Sequence, residues 1–272
     1  MELFGNSLEQ KHLTSGAKLF LGTSGYSFPH WRGVFYPRRI AGKNWLGYYA
    51  LKFNSVEINS TWYRILSADS TQRMADSVPD GFVFSVKLHS SMTHSRDALR
   101  SQWAAFRRMC RPFVQSGRMG VVLAQFPWSF PFREESFCHL ASIRKNLADM
   151  KVAVEFRHKK WYSAESLHRL RGMGFIPVSV DLPGLPGLPD NGLIDGGAAV
   201  YLRLHGRNSG SWWGNTQQRY DYLYTDNELK ILAERLQRLS KGVKSCYVFF
   251  NNCHMGKAAL NAADMQKLLA EE

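Results

Sequence analysis

The segment SVEINSTWY, residues 55 to 63, sets a carboxylate and an amide two positions apart. Read as a strand, it places Glu57, Asn59 and Thr61 on one face and Val56, Ile58 and Ser60 on the other. Polar groups sharing a strand face must line something. The same alternation recurs in FVFSVKLH (82 to 89), with Ser85, Lys87 and His89 on one side. MGVVLAQF (119 to 126) brings Gln125, and KVAVEFR (151 to 157) brings Glu155 and Arg157. LFLGTSG (19 to 25) adds Ser24, PVSVDLP (177 to 183) adds Asp181, and AAVYLRLHG (198 to 206) adds Arg203 and His205, with Arg207 just beyond. SCYVFFNN (245 to 252) ends in Asn251 or Asn252. The alternate positions, among them Val56, Ile58, Phe84, Val86, Val154, Phe156, Val180, Leu202 and Leu204, form an apolar face fit to meet helices.

Such a set suits an anionic, hydroxyl-bearing ligand. Arg makes bidentate hydrogen bonds to phosphate or carboxylate, and Asn, Glu and Asp bind hydroxyls. Arg157, Arg203 and Lys87 are the expected anion contacts. Ser24, Asn59, Thr61, His89, Gln125, Arg207 and Asn251 complete the binding set. Glu57, Glu155, Asp181 and His205 are the candidates for proton transfer, His205 acting near neutral pH with Glu155 or Asp181 orienting it or serving as base. Lys87, desolvated beside arginines, is either a Schiff-base amine or a plain phosphate contact. The competing reading is structural: the same charges neutralise one another and plug the interior.

A divalent metal is a further option, since Glu57, Glu155, Asp181, His205 and His89 are ligand types, but Lys87, Arg157 and Arg203 compete for those carboxylates. No HExxH, Walker loop, GxGxxG or GxSxG occurs, and no cofactor is expected. A barrel glycosidase with carboxylates ending strands four and seven is also not indicated, because those ends read Gln125-Phe126-Pro127 and His205-Gly206.

The elements that must position these groups are eight short β-rich runs separated by helical patterns. Trp45, Tyr48, Tyr49 and Phe53 follow Asn44 as a cap; Trp103, Phe106, Cys110 and Phe113 form a second stripe, which Pro112 should kink or end. Leu167, Leu170 and Met173 follow Ser163 as a cap. Thr225 to Glu228 is a capping box ahead of Leu229, Leu232, Leu236 and Leu239, and a last helix spans about 256 to 270. Strand and helix alternating eight times predict an α/β fold, a single-domain (β/α)8 TIM-type barrel with its site at the carboxyl ends of the strands. Two connections break the rhythm: an aromatic and basic loop at 25 to 44, and LPGLPGLPDNGLIDGG after strand six. Each is a lid, a binding edge or a rigid strap. HGRNSG (205 to 210) and NNCHMG (251 to 256) stand where such barrels often hold phosphate.

The 272 residues carry 35 Lys plus Arg against 22 Asp plus Glu, a net charge of +13. This favours anionic partners: a small anionic ligand or, as the alternative, nucleic acid bound through basic groups such as Arg107, Arg108, Arg111, Lys159 and Lys160 and through stacking on Trp31, Tyr36, Trp212 and Trp213. Cys110, Cys138, Cys246 and Cys253 are widely spaced, which fits reduced thiols in the cytoplasm. No run approaches a membrane span, residues 1 to 18 read as an N-terminal extension ahead of a barrel at 19 to 272, and oligomeric state is left open.

Several long segments together resemble the YecE-like proteins, designated domain of unknown function 72. They are GTSGYSFPHWRGVFYP (22 to 37), YYALKFNSVEINSTWYR (48 to 64), PDGFVFSVKLHSSMTH (79 to 94), VVLAQFPWSF (121 to 130), VAVEFRHKKW (152 to 161), VYLRLHGRN (200 to 208) and YVFFNNCHMGKAALNA (247 to 262). The resemblance implies a TIM-type barrel and supplies no reaction. Its motif positions coincide with the inward list, and Met92 before Thr93-His94 departs from the usual aliphatic residue. The residue types point to an enzyme, with hydrolase, lyase and isomerase all open.

Overall fold

The structure, a computed structural model, describes residues 11 to 214 and 216 to 270. Its strands are β1 (Lys18–Thr23), β2 (Ser55–Ile58), β3 (Val83–Lys87), β4 (Met119–Gln125), β5 (Val152–Glu155), β6 (Phe175–Asp181), β7 (Val200–Leu204) and β8 (Ser245–Phe250). The helices are α1 (Trp45–Ala50), α2 (Ala68–Asp76), α3 (Ser90–Thr93), α4 (Arg100–Gln115), α5 (Glu134–Asn146), α6 (Ala164–Gly172), α7 (Thr216–Arg219), α8 (Asp226–Ser240) and α9 (Lys257–Leu268). All strand pairs are parallel in the order β1-β8-β7-β6-β5-β4-β3-β2, which makes the expected TIM-type barrel.

Local chemistry starts and stops the helices as the sequence requires. Ser163 Oγ accepts from Ser166 N at the head of α6, and Thr225 with Glu228 forms the full capping box of α8. Asn44 makes no side-chain cap to α1. Pro112 lies inside α4, which ends three residues later at Gln115 with Ser116 Oγ bonded back to Pro112 O.

The sheet closes at a seam between β1 and β2 that side chains complete. Ser24 and Glu57 form a single parallel bridge there. Below it, Asn54 Nδ2 donates to Leu19 O at 2.7 Å and its Oδ1 accepts from Leu21 N at 2.9 Å, while Tyr49 Oη accepts from Thr23 N and donates to Ser55 O. Gly22 makes this approach possible, since a Cβ there would stand 1.9 Å from Ser55 O.

Two apolar layers result. Outward residues such as Val56, Phe84, Val86, Val154, Leu202 and Val248 pack under the helices. Phe20, Leu123, Ala153, Val178, Val180, Tyr201 and Phe249 fill the barrel. Here β6 departs from expectation. Val180 is aligned with Arg203, and Asp181 with Leu204. Neighbours in register share a face, so Val180 points in and Asp181 points out.

The loop at 25 to 44 is a strap. Trp31 and Tyr36 are fully buried, Trp31 Nε1 donates to Cys253 O at 2.9 Å, and Tyr36 Oη donates to Tyr26 O at 2.6 Å. After β6 the irregular stretch is pinned by Asn191, whose amide bonds both Leu182 N and Leu182 O. Residues 11 to 17 also hold to the barrel, through Leu19 N to Lys11 O and Thr14 to Gln237; the rest of the expected N-terminal extension, residues 1 to 10, lies outside the described residues. Among the described residues no helix is long and apolar enough to cross a membrane.

Candidate active site at the barrel mouth

Arg203, inward on β7, is the centre of the site and is 1% exposed. Its Nε and Nη2 donate to the two oxygens of Glu57 at 3.0 and 2.7 Å, and its Nη1 donates to Glu155 Oε2 at 2.6 Å. Glu57 also accepts from Ser24 Oγ and from Tyr201 Oη, each at 2.7 Å. All four acceptor directions of that carboxylate are taken, so its charge is dispersed among fixed donors. The Arg203 guanidinium is held charged: burial opposes this, but Glu155 and Glu57 outweigh it. Burial and the Glu57 charge hold the Tyr201 phenol protonated.

Glu155 is different. Burial favours its neutral form, yet Arg203, Arg157 and His205 hold it well below the usual carboxylate range. Its Oε1 lies 2.9 Å from Arg157 Nε and 3.3 Å from His205 Nε2. None of these three buried atoms is aligned for a hydrogen bond. They attract as charges and dipoles while keeping directional capacity for a further group. Asn251 Nδ2 donates to His205 Nδ1 at 2.8 Å, which leaves the ring hydrogen on Nε2, toward Glu155. Burial and the Arg157 charge lower the His205 pKa to about 3, so the ring is neutral over the physiological range.

Two carboxylates, Glu57 and Glu155, face two guanidinium groups, Arg203 and Arg157, and that cluster balances. Lys87 is left over. Its Nζ donates to the uncharged Gln125 Oε1 at 2.8 Å and lies 5.5 Å from the Trp62 ring; among the described residues no carboxylate comes within 4.0 Å of it. Burial and then Arg203 lower its pKa to about 7. Above these groups opens a cavity of about 890 Å³ lined by Ser24, Asn59, Lys87, Gln125, Arg157, Arg203 and Asn251 at its floor. Tyr26, Phe28, Trp62, Tyr63 and Tyr220 form its walls, with Lys43 and Arg73 at the rim.

Of the residues singled out from sequence, Ser24, Glu57, Asn59, Lys87, Gln125, Glu155, Arg157, Arg203, His205 and Asn251 converge at this mouth. Four do not. Asp181, outward on β6, accepts both Arg207 Nε (2.9 Å) and Arg207 Nη2 (2.7 Å) and the Tyr224 hydroxyl (2.8 Å), and Arg207 continues to Glu228 at 2.8 Å. Asp181 and Arg207 therefore tie the loop after β7 to α8 behind the barrel wall. Thr61 falls beyond β2, in a 3-10 turn at Ser60–Trp62, and donates to Ile58 O and Lys87 O. His89 lies past the end of β3, where Nδ1 accepts from Ser91 N and caps α3.

Sequence reasoning missed Tyr201 and the aromatic walls. Tyr201 shares parity with Arg203 and His205, a usable signal; Trp62 is turned inward by the 3-10 turn, which alternation does not foresee. The carboxylates named as metal ligands are engaged by guanidinium groups, and among the described residues no cluster of three or more His, Cys, Asp or Glu has the arrangement of a metal site. The stacking surface proposed for nucleic acid is largely absent: Trp31, Tyr36 and Trp212 are core residues at 0, 1 and 2% exposure.

Comparison with known proteins agrees with this architecture. Residues 20 to 272 match the family model described as Protein of unknown function DUF72. UPF0759 protein YunF of Bacillus subtilis is 28% identical over 271 residues, covering 92% of this chain and 94% of that protein. The crystal structure of a DUF72 family protein from Thermotoga maritima is 39% identical with a TM-score of 0.86, over 93% of this chain and 99% of that one. A DUF72 family protein from Enterococcus faecalis is 26% identical with a TM-score of 0.82, over 93% and 95%. With eight parallel strands closed into a barrel and its motif residues gathered at one mouth, this chain belongs to the DUF72 family.

Proposed function

We propose that the mouth of the barrel binds a small anionic, hydroxyl-bearing molecule, of the sugar-phosphate or carboxylate kind, and acts on it by acid and base chemistry. The observation that carries this reading is the charge of the lining: Lys43, Arg73, Lys87, Arg157 and Arg203 are among the residues that form the cavity, and among the described residues no Asp or Glu is. Arg157 and Lys87 hold the anion, because each of the three nitrogens of Arg203 already donates to Glu57 or Glu155. Asn59 Oδ1, buried and unbonded, accepts from a ligand hydroxyl, while Glu155 and His205, both beneath the lining, act on the ligand only through Arg157, which Glu155 Oε1 faces at 2.9 Å. Lys87 is the group poised to exchange a proton near pH 7. Four free cysteines fit a reducing compartment, and the cytoplasm is the location this reading assumes.

The reading is tested by thermal shift of the full chain against a panel of inorganic phosphate, sugar phosphates and small carboxylates, with Arg157→Ala as the control. The expected result is a rise in Tm with at least one anion that the variant loses. A panel that leaves the wild-type Tm unmoved would sink it. Nucleic-acid binding is checked alongside by salt titration with an oligonucleotide, and the burial of the expected stacking residues predicts no association that survives moderate salt.

A further inference from the structure

Lys87 has a position that anion binding alone does not require. It ends β3 on the inward face, its Cα aligned with Leu123, so the amine emerges at the floor of the cavity. The Trp62 ring and the Gln125 amide fix it from two sides. A lysine kept only as a phosphate contact keeps its charge best beside a carboxylate, yet both carboxylates of this floor are committed to Arg203. Partial burial instead strips the ammonium of part of its hydration, and Arg203 and then Arg157 repel it. These are the conditions under which a lysine becomes a nucleophile.

We propose that Lys87 Nζ forms an imine with an aldehyde or ketone that also carries a phosphate or carboxylate. The inference rests on the anion-binding reading above and narrows its substrate to carbonyl compounds. The neutral amine adds to the carbonyl carbon, the carbonyl electrons move to oxygen, and the oxygen leaves as water. One C–N bond forms and becomes double while the C–O bond breaks. Overall an ammonium and a carbonyl give a protonated imine and water, with no net proton and no oxidant or reductant. Arg157 holds the anionic end so that the carbonyl meets Nζ. The pKa of about 7 leaves a large neutral fraction at physiological pH, where exposed lysines have almost none. The positive iminium then draws electrons from the neighbouring carbon, the chemistry shared by aldol cleavage, decarboxylation and dehydration.

The test is reductive trapping on the full chain. Protein is incubated with glyoxylate or glyceraldehyde 3-phosphate and cyanoborohydride, digested, and the adduct located by mass spectrometry, with exposed Lys159, Lys230 and Lys241 as internal references. Lys87 is expected to label at least about tenfold faster than these at pH 7, with its rate half-maximal near pH 7 and theirs still rising. Inorganic phosphate in excess suppresses the Lys87 adduct alone. Labelling spread evenly over the surface lysines would overturn the inference. Should glyoxylate or the triose phosphate raise Tm while Lys87 stays unlabelled, the imine fails and the anion site stands. With neither a Tm shift nor labelling, both fail. Lys87→Arg, which keeps a cation, is expected to retain the Tm shift by inorganic phosphate and to lose the fast adduct; because the pH profile is read on wild type, a variant that does not fold leaves the inference decidable.

Discussion

Arg203 and Glu57 meet side on in the barrel interior, Nε and Nη2 each on its own carboxylate oxygen at 3.0 and 2.7 Å, with both residues removed from solvent. The pair joins β7 to β2 across the barrel. Buried ion pairs of this kind rarely exceed a well-packed apolar alternative in stability, but each partner is costly to strand. Glu57 has two further donors, Ser24 and Tyr201, and Arg203 a second carboxylate, Glu155, so every atom of the two charged groups that bears charge is engaged. The pair thereby acts as the rigid floor on which Arg157, His205 and Lys87 are arranged.

Glu57→Gln is accordingly expected to cost about 3 to 5 kcal/mol, the usual loss on removing one member of a buried pair. The amide cannot accept from Arg203 at both atoms, and the guanidinium keeps only Glu155. Urea denaturation at pH 7 measures it. A loss below about 1 kcal/mol would mean that Tyr201 and Ser24, not the charge, define the floor.

The stability of the barrel should depend on pH through Lys87. Its pKa falls from the ordinary 10.5 to about 7 on folding, so between these values the unfolded chain binds the extra proton. Unfolding free energy then rises with pH from about 7 to about 10.5, and below about 7, where the amine is charged in both states, this group adds no further slope. Lys87→Met removes this dependence and raises Tm at pH 6 relative to wild type. Paired melts of both proteins at pH 6, 7.5 and 9 decide it; parallel pH profiles would show that the amine titrates as in water.

Most of this site was legible from period-two alternation, because a parallel barrel repeats one rule on every strand. Where the rule held, as at Ser85 and Lys87 or Tyr201, Arg203 and His205, the inner face follows from residue numbers alone. It broke at β6, where both faces are buried and Ser179, the other polar residue of the run Phe175 to Asp181, shares the parity of Asp181 and accepts from Ile194 N outside the barrel. Asp181 looked inward because it is charged; register with Leu204 sends it out. Thr61 and His89 were misplaced for another reason, since strands end where turn chemistry takes over and alternation has no meaning past that point. The seam is a third kind of feature: Asn54 and Gly22 carry no signature until the two ends of the sheet are brought together.

Asn54→Ala should open that seam. The substitution strands Leu19 O and Leu21 N, both buried and both served by the same amide. At about 1 to 3 kcal/mol for each unsatisfied group the loss is about 2 to 6 kcal/mol. Hydrogen exchange provides a local reading: amides of β1 lose protection before those of β4. Uniform loss across the barrel would mean that the seam does not open separately.

Anion affinity should weaken as pH rises. Sulfate is the useful probe, because its own charge is constant across the range. Binding that needs the Lys87 ammonium declines above pH 7 by up to about tenfold per pH unit, as the amine deprotonates. Lys87→Arg, which stays charged, binds sulfate with no such slope. Calorimetric titration between pH 6 and 9 follows both. A wild-type slope as flat as that of the variant would remove Lys87 from the anion site.

Asp181→Asn separates the wall from the mouth. The aspartate holds Arg207 at two points and the Tyr224 hydroxyl at a third, and Tyr224 Oη in turn accepts from Gly206 N. Replacing one carboxylate oxygen by an amide turns an acceptor of Arg207 into a donor, which leaves a part-buried guanidinium contact broken and weakens the link from β6 through the loop after β7 to α8. A loss of about 1.5 to 3 kcal/mol in urea is expected, the range for hydrogen bonds to charged groups. Sulfate affinity should stay within about twofold, because Asp181 does not line the cavity and its register partner on β7 is Leu204, not Arg203. Lys87→Met gives the reverse pattern, with binding lost and stability kept or raised. If Asp181→Asn instead abolished sulfate binding in a protein of wild-type Tm, the aspartate would belong to the site after all, and the outward phase of β6 would be wrong.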